Sequence, residues 1–130
     1  MNQLSGYVEI TFGDQVLPFK FGTNAWALFC EMKGIEFGGI MSSGVFGTYE
    51  NGEITKPPDI LALLDLFYCA HKAAMRAKDL QPVNKETFCD MLDETSGAML
   101  DLQKAMLTAK LMGYNLTELA ELGKKKVEKK

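Results

Sequence analysis

The first 34 residues of the chain carry an alternating apolar pattern that leaves little freedom in how they fold. Residues 7–12 place every second, apolar side chain on one side of an extended segment, because successive side chains of a strand point to opposite faces. A Gly-Asp-Gln turn follows at 13–15, and residues 16–21 return with the same alternation. The pattern predicts a β-hairpin with one apolar face, formed by Val8, Ile10, Phe12, Leu17, Phe19 and Phe21.

A short helix is predicted to follow the hairpin directly. Thr23 or Asn24 is expected to cap its first turn, and Gly34 is expected to end it. Its inner side is predicted to consist of Ala25, Leu28, Phe29 and Met32.

The segment between Ile35 and Glu53 is predicted to be a loop, because glycine and serine occupy seven of its positions. It also carries large apolar side chains, which favours packing against another surface. Two interpretations stay open: the loop covers the core of its own chain, which is favoured, or a partner orders it. Its candidate partner-binding residues are Phe37, Ile40, Met41, Val45 and Phe46.

A central buried helix is predicted after the Pro-Pro-Asp sequence at 57–59, which suits the start of a helix. Between Ile60 and Ala70 the sequence is apolar on nearly every side, apart from Asp65. A helix that is apolar all round is typical of a position in the middle of a fold.

Two more helices and a final helical turn are predicted beyond this point. The third helix is expected to start at Asn84, the fourth to run from Ala98 to Met112, and the last turn to begin at Asn115. The predicted fold class is α+β, mostly α: an N-terminal β-hairpin followed by a bundle of four to five helices. Residues 1–123 are expected to form one domain, with a disordered Lys-rich tail at 124–130.

The predicted fourth helix carries two apolar stripes, and one of them should pack on the central helix. The second stripe contains Leu100, Leu107 and Leu111, which are further candidate partner-binding residues. It needs a neighbour of its own, either elsewhere in this chain, which is favoured, or in another copy of it.

Charge is divided unevenly along the 130 residues. Residues 124–130 hold five of the 14 basic residues and one of the 17 acidic ones, which leaves nine basic and 16 acidic residues before them. An acidic body argues against nucleic acid as the main partner, because phosphate binding needs a basic face.

No catalytic, cofactor or metal signature is found in the sequence. His71 lacks the nearby nucleophile and carboxylate that a catalytic base needs, and is expected to be structural. Cys30, Cys69 and Cys89 show no paired spacing and are predicted to be reduced thiols. The absence of a signal peptide and of a bilayer-spanning run predicts a cytoplasmic protein with no membrane partner.

The hairpin region resembles the tail assembly chaperones of long-tailed bacteriophages. The resemblance is carried by the sequences at 6–12 and 17–22, by the helix that starts near Asn24, and by residues 115–119. It implies a protein without enzymatic activity that binds the tape measure protein in the host cytoplasm and keeps it soluble during tail assembly.

The resemblance implies further properties as well. The tail tube protein is a second candidate partner, and a weak homo-oligomer is also open. Many members of the family are made in two forms by ribosomal frameshifting, and the Gly-Lys-Lys-Lys sequence at 123–126 is compatible with an A-rich slippery codon string. The alternatives are a structural tail or head–tail connector protein of the virion and a small regulatory binding module of the host.

Overall fold

The computed structural model describes residues 6–36, 45, 48–50, 53–111 and 114–115. It confirms the predicted class, an α+β chain in which an N-terminal hairpin is followed by four helices. The elements in chain order are β1 (Tyr7–Phe12), β2 (Gln15–Lys20), α1 (Thr23–Lys33), β3 (Thr48–Glu50), β4 (Glu53–Lys56), α2 (Ile60–Ala77), α3 (Lys85–Asp93), α4 (Ala98–Thr108), β5 (Lys110–Leu111) and β6 (Tyr114–Asn115).

Strands β1 and β2 form the predicted antiparallel hairpin, with Phe12 opposite Gln15 across a two-residue turn. Gly13 opens this turn at a φ of 62°, a conformation that glycine adopts without a steric penalty. The predicted apolar face is confirmed, since Val8 is partly buried and the other five side chains are buried.

Helix α1 packs against α2, but it is rotated relative to the prediction. The N-cap is Gly22, and neither Thr23 nor Asn24 caps the helix, whereas Gly34 ends it in the left-handed conformation as expected. The buried residues are Ala25, Trp26, Phe29 and Cys30. The prediction that Met32 faces inward is wrong, because its side chain is 41% exposed. Burial of the large Trp26 ring explains the rotation, since Met32 lies roughly 120° further around the helix.

Helix α2 is the central helix of the fold, as the sequence predicts. The Asp59 carboxylate caps it by accepting a hydrogen bond from the Leu61 amide at 3.0 Å. Helix α2 packs against β2 and α1, and to a lesser extent against α3. The Phe67 ring meets the Phe21 ring edge-on at a centroid distance of 5.7 Å, which joins the helix to the end of the hairpin.

The predicted loop between Ile35 and Glu53 contains regular structure at its C-terminal end. Strands β3 and β4 pair in antiparallel fashion, with Tyr49 opposite Ile54 and an irregularity between Thr48 and Tyr49. The β-branched and aromatic residues of these strands favour this pairing. The Asn-Gly pair between them is a hairpin signal that the sequence already contains.

Helix α3 begins where the sequence predicts, with the Asn84 side chain accepting a hydrogen bond from the Thr87 amide at 2.7 Å. Helix α4, however, ends at Thr108 and not at Met112. Its C-cap residue Ala109 has an extended backbone and is buried against Gly6. This contact is formed by the extended conformation of Ala109, which ends the helix.

The predicted final helical turn does not begin at Asn115. Asn115 lies in β6, where it pairs with Lys110 of β5. The rest of that predicted turn and the predicted tail at 124–130 lie outside the described residues.

Candidate partner-binding surface

Helix α4 is anchored on one side and exposed on the other. Its buried residues are Ala98, Leu102, Ala105 and Met106, and the helix packs against β1. On the other side Leu100 and Leu107 are 55% and 57% exposed. Seven residues are two turns, so the two side chains point in nearly the same direction about 10.5 Å apart along the axis. We call this pair the α4 leucine face.

Polar groups lie on the same side of the helix as the α4 leucine face, since Lys104 is four residues after Leu100 and three before Leu107. Asp101 and Lys104 are exposed on the same helix and supply one charge of each sign. The Thr108 hydroxyl is directed back to the helix, within 3.1 Å of the Lys104 carbonyl oxygen and 3.2 Å of the Ala105 carbonyl oxygen. Two leucines at this spacing can anchor one apolar side of a partner helix.

Of the other predicted partner-binding residues, Val45 is the one whose side chain the structure describes. Phe37, Ile40, Met41 and Phe46 lie outside the described residues, as does the side chain of Leu111, whose backbone pairs with Tyr114. Val45 is 1% exposed and belongs to the core cluster, so its side chain is not available to a partner in this conformation. At Val45 the structure therefore agrees with the interpretation in which the loop covers its own core.

Further exposed apolar side chains were missed by the sequence analysis, two of them at the start of α2. Ile60 and Leu61 form the first turn of α2 and are 66% and 68% exposed. They belong to the apolar run that predicts the buried helix, so hydrophobicity alone gives no sign of their exposure. The cap at Asp59 is the only local signal, because the first turn of a helix can project beyond the elements that bury its middle.

His71 is fully buried, and both of its ring nitrogens bind backbone groups. Nδ1 lies 3.0 Å from the Pro18 carbonyl oxygen, which can only accept, so Nδ1 carries the proton. Nε2 accepts a hydrogen bond from the Val83 amide at 3.2 Å. Burial lowers the pKa of His71 below its ordinary value of 6.5, against the opposing effect of the Pro18 carbonyl. The neutral ring therefore joins β2, α2 and the α2–α3 connection, the structural role that the sequence predicts.

A second side chain holds the same connection. The Tyr68 hydroxyl donates a hydrogen bond to the Val83 carbonyl oxygen at 2.6 Å. Val83 is thus held at its amide by His71 and at its carbonyl by Tyr68. The Phe88 ring packs on both of these side chains, with a centroid distance of 5.7 Å to Tyr68 and 6.4 Å to His71.

Asp65 ties three helices together. Its carboxylate accepts from Lys33 of α1 at 2.5 Å and also forms a close ion pair with Lys85 of α3. Burial by itself raises the pKa of Asp65, but the hydrogen bonds from the two lysines outweigh this effect and hold the pKa below its ordinary value of 3.8. Asp65, the one charged residue in the apolar part of α2, therefore links this helix to α1 and α3 through ion pairs.

The cysteines are free thiols in three different environments. Cys30 on α1 and Cys69 on α2 are buried, and Cys89 on α3 is half-buried. Burial raises the pKa of the Cys69 thiol to about 11 and also raises the pKa of Cys30. Both buried thiols therefore stay protonated and unreactive while the chain is folded.

In the part of the chain that the structure describes, no cluster of three or more histidine, cysteine, aspartate or glutamate side chains could hold a metal ion. None of the described helices combines the length and the apolarity that a bilayer crossing requires. Comparisons with protein-family models, with curated proteins and with solved structures give no match to this chain.

Proposed function

We propose that this protein is a tail assembly chaperone of a long-tailed bacteriophage, acting in the host cytoplasm on the tape measure protein. The observation that carries the proposal is the α4 leucine face, two large apolar side chains that are more than half exposed on a well-anchored helix. A long helical partner presents apolar stripes that two leucines at this spacing can cover.

The size of the surface indicates weak binding by each copy. Full burial of a leucine side chain contributes about 1.5–3 kcal/mol. Leu100 and Leu107 are already almost half buried, so covering the rest of both supplies roughly 2–3 kcal/mol, which is less than the roughly 4–15 kcal/mol that association costs in lost freedom. Many copies along one long partner would then shield it through avidity. The excess of acidic residues before residue 124 would keep the coated partner from self-association.

Co-expression with the tape measure protein of the same genome tests the proposal. The wild-type chain is expected to increase the soluble fraction of that partner. The double variant Leu100→Gln/Leu107→Gln should lose this effect while remaining folded, because both side chains are exposed. Ile60→Gln/Leu61→Gln is the matched control, since these two side chains are 66% and 68% exposed on a different helix and the variant should keep the effect.

Two results would overturn the proposal. One is an unchanged soluble fraction of the tape measure protein in the presence of the wild-type chain. The other is detection of this chain by mass spectrometry as a stoichiometric component of purified virions, which would indicate a structural tail or connector protein.

A further inference from the structure

A cleft of about 450 Å³ lies between the C-terminal half of α2 and the connection to α3. It is separate in sequence from the α4 leucine face and belongs to no site described above. We call it the basic cleft; its lining residues are Lys72, Arg76, Asp79, Leu80, Gln81 and Pro82.

The walls of the basic cleft are held in place by backbone hydrogen bonds. At the end of α2 the Leu80 amide donates to the Met75 carbonyl at 2.9 Å, and the Asp79 amide donates to the Arg76 carbonyl at 3.0 Å. These two bonds form a Schellman motif, which fixes the direction in which the chain leaves the helix. Just beyond the cleft, Val83 is held at both its amide and its carbonyl. The backbone around the cleft is therefore fixed before a ligand binds, and only the lining side chains have to be ordered by it.

Two cations of the basic cleft are available to a ligand. Lys72 and Arg76 are four residues apart and therefore adjacent on α2. Among the described residues the ion pairs are formed by Lys33, Lys78 and Lys85, so neither cleft cation is neutralised by a carboxylate within 4 Å. The Lys72 ammonium lies 5.9 Å from the centre of the Tyr68 ring, a contact that leaves its charge in place.

The remaining charges limit what the cleft can bind. Asp79 contributes one negative charge, and the C-terminal end of a helix carries about half a negative charge more. Against two cations, this leaves a net positive charge of roughly one half. That balance suits a single carboxylate and is too small for a nucleic-acid backbone or another polyanion.

Asp79 occupies its position at an energetic disadvantage. It has a φ of 57° and is the only residue other than glycine with a positive φ in the described chain. Glycine is favoured at this point of a Schellman motif, and a negative charge is unfavourable at the end of a helix. Asp79 goes against both preferences and lies at the edge of the cleft. It is therefore a candidate for a residue that determines which ligands the cleft binds.

We propose that the basic cleft binds one carboxylate side chain of an acidic peptide segment in a protein partner. The carboxylate pairs with Arg76 and Lys72, and an adjacent apolar side chain of the same segment packs on Leu80, which is 54% exposed at the cleft. Asp79 lowers the affinity for anions in general, so that a ligand must supply the apolar contact as well.

The test uses the purified full chain and a short labelled peptide that carries Glu and Leu three residues apart. A peptide with Gln in place of Glu and inorganic phosphate serve as comparison probes. Binding is followed by fluorescence anisotropy and by backbone amide shifts in NMR spectra. The Glu peptide is expected to shift the amides of Asp79, Leu80, Gln81 and Val83, and the Gln peptide to bind roughly tenfold more weakly.

Three variants separate the cleft from general surface charge. Arg76→Gln should weaken binding of the Glu peptide roughly tenfold. Lys104→Gln, which removes an exposed lysine from α4, should leave it unchanged. Asp79→Gly should tighten it, and this variant is expected to fold because glycine prefers the backbone conformation at that position.

Any of three outcomes would overturn the proposal. The first is equal binding of the Glu and Gln peptides, and the second is an unchanged affinity in Arg76→Gln. The third is displacement of the labelled Glu peptide by inorganic phosphate at a lower concentration than unlabelled Glu peptide requires. The measurement contains no tape measure protein. A failed peptide-binding test would therefore leave the result of the co-expression test unchanged. A failed co-expression test would likewise leave the peptide-binding result unchanged.

Discussion

Helices α2 and α4 have similarly apolar sequences, yet the fold uses them in opposite ways. Ten of the 18 residues of α2 are buried, including the polar side chains of Asp65 and His71. Only four of the 11 residues of α4 are buried, and its exposed leucines are spread over two turns, whereas the exposed apolar residues of α2, Ile60 and Leu61, are confined to its first turn. The difference follows from the neighbours, because α2 packs on β2, α1 and α3, whereas α4 has β1 on one side.

The comparison shows that composition determines how much apolar surface a helix has, while topology determines how much of it is covered. Helix α2 is surrounded and is joined to its neighbours by specific polar contacts from Asp65 and His71. The exposed side of α4 has no comparable contacts among the described residues. Exposed apolar surface on such a helix is available for binding at little cost to the stability of the fold.

The largest expected difference in the free energy of unfolding is between a substitution of a buried side chain of α2 and a substitution of an exposed side chain of α4. Phe67→Ala should lower the free energy of unfolding by about 3–5 kcal/mol, because Phe67 is fully buried. Leu107→Ala should change it by less than about 0.5 kcal/mol. Urea denaturation followed by circular dichroism measures both. Similar losses in the two variants would contradict the division between the helices.

The next effect concerns the place where the start of the described chain meets the end of α4. A Cβ atom on Gly6 would lie 2.2 Å from the Phe21 carbonyl oxygen and 2.6 Å from the Ala109 Cβ, at a φ of 78°. Gly6→Ala should therefore lower the free energy of unfolding by more than about 2 kcal/mol. Gly13→Ala is the control: its φ is also positive, but no atom lies within 4 Å, and a loss of about 1 kcal/mol is expected. Thermal unfolding of both variants distinguishes the steric contact from backbone strain alone.

A smaller effect on the free energy of unfolding is expected at the ion pairs of Asp65 in α2. Asp65→Ala should lower the free energy of unfolding by about 1–2 kcal/mol, because Lys33 and Lys85 are partly exposed and can return to water. The folded-state pKa of Asp65 lies below its ordinary value of 3.8, so the stability it contributes is complete above that pH and is lost as the pH falls further. Denaturation at pH 7 and at pH 3 should show a smaller difference between wild type and variant at pH 3 than at pH 7.

The smallest effect is a pH dependence due to His71, the only histidine of the chain. Its folded-state pKa lies below 6.5, so the unfolded chain binds more protons as the pH falls below 6.5, and the folded state loses stability. Protonation also removes the acceptor of the Val83 amide. Between pH 7 and pH 5 the wild type should lose stability relative to His71→Gln. Parallel curves for the two proteins would show that the pKa of His71 is the same in the folded and the unfolded chain, which would contradict the prediction.

The local parts of the fold were predictable, and the long-range contacts were not. The hairpin, the C-terminal end of α1 and the N-terminal end of α3 follow from alternation, from Gly34 and from Asn84, because strand and capping signals lie within a few residues of the structure they specify. The end of α4 depends on Gly6, which lies about a hundred residues earlier in the sequence, so periodicity alone extends the helix too far.

The same distinction applies to the candidate surface. The second stripe on the fourth helix predicts Leu100 and Leu107 as residues that need a neighbour, and both are exposed. The apolar residues of the loop favour packing on its own core, and Val45 does so, but nothing in the sequence distinguishes Val45 from the other apolar residues of the loop. The hydrogen-bond partners of His71 could not be predicted from the sequence either, because Pro18 lies 53 residues before it and Val83 lies 12 residues after it.

The placement of the thiols provides an internal probe of how the molecule opens. Cys69 is buried in the middle of α2, whereas Cys89 on α3 is partly accessible. Timed alkylation followed by peptide mass spectrometry can therefore measure, in one sample and without an introduced label, how often the centre of the fold becomes accessible compared with its periphery.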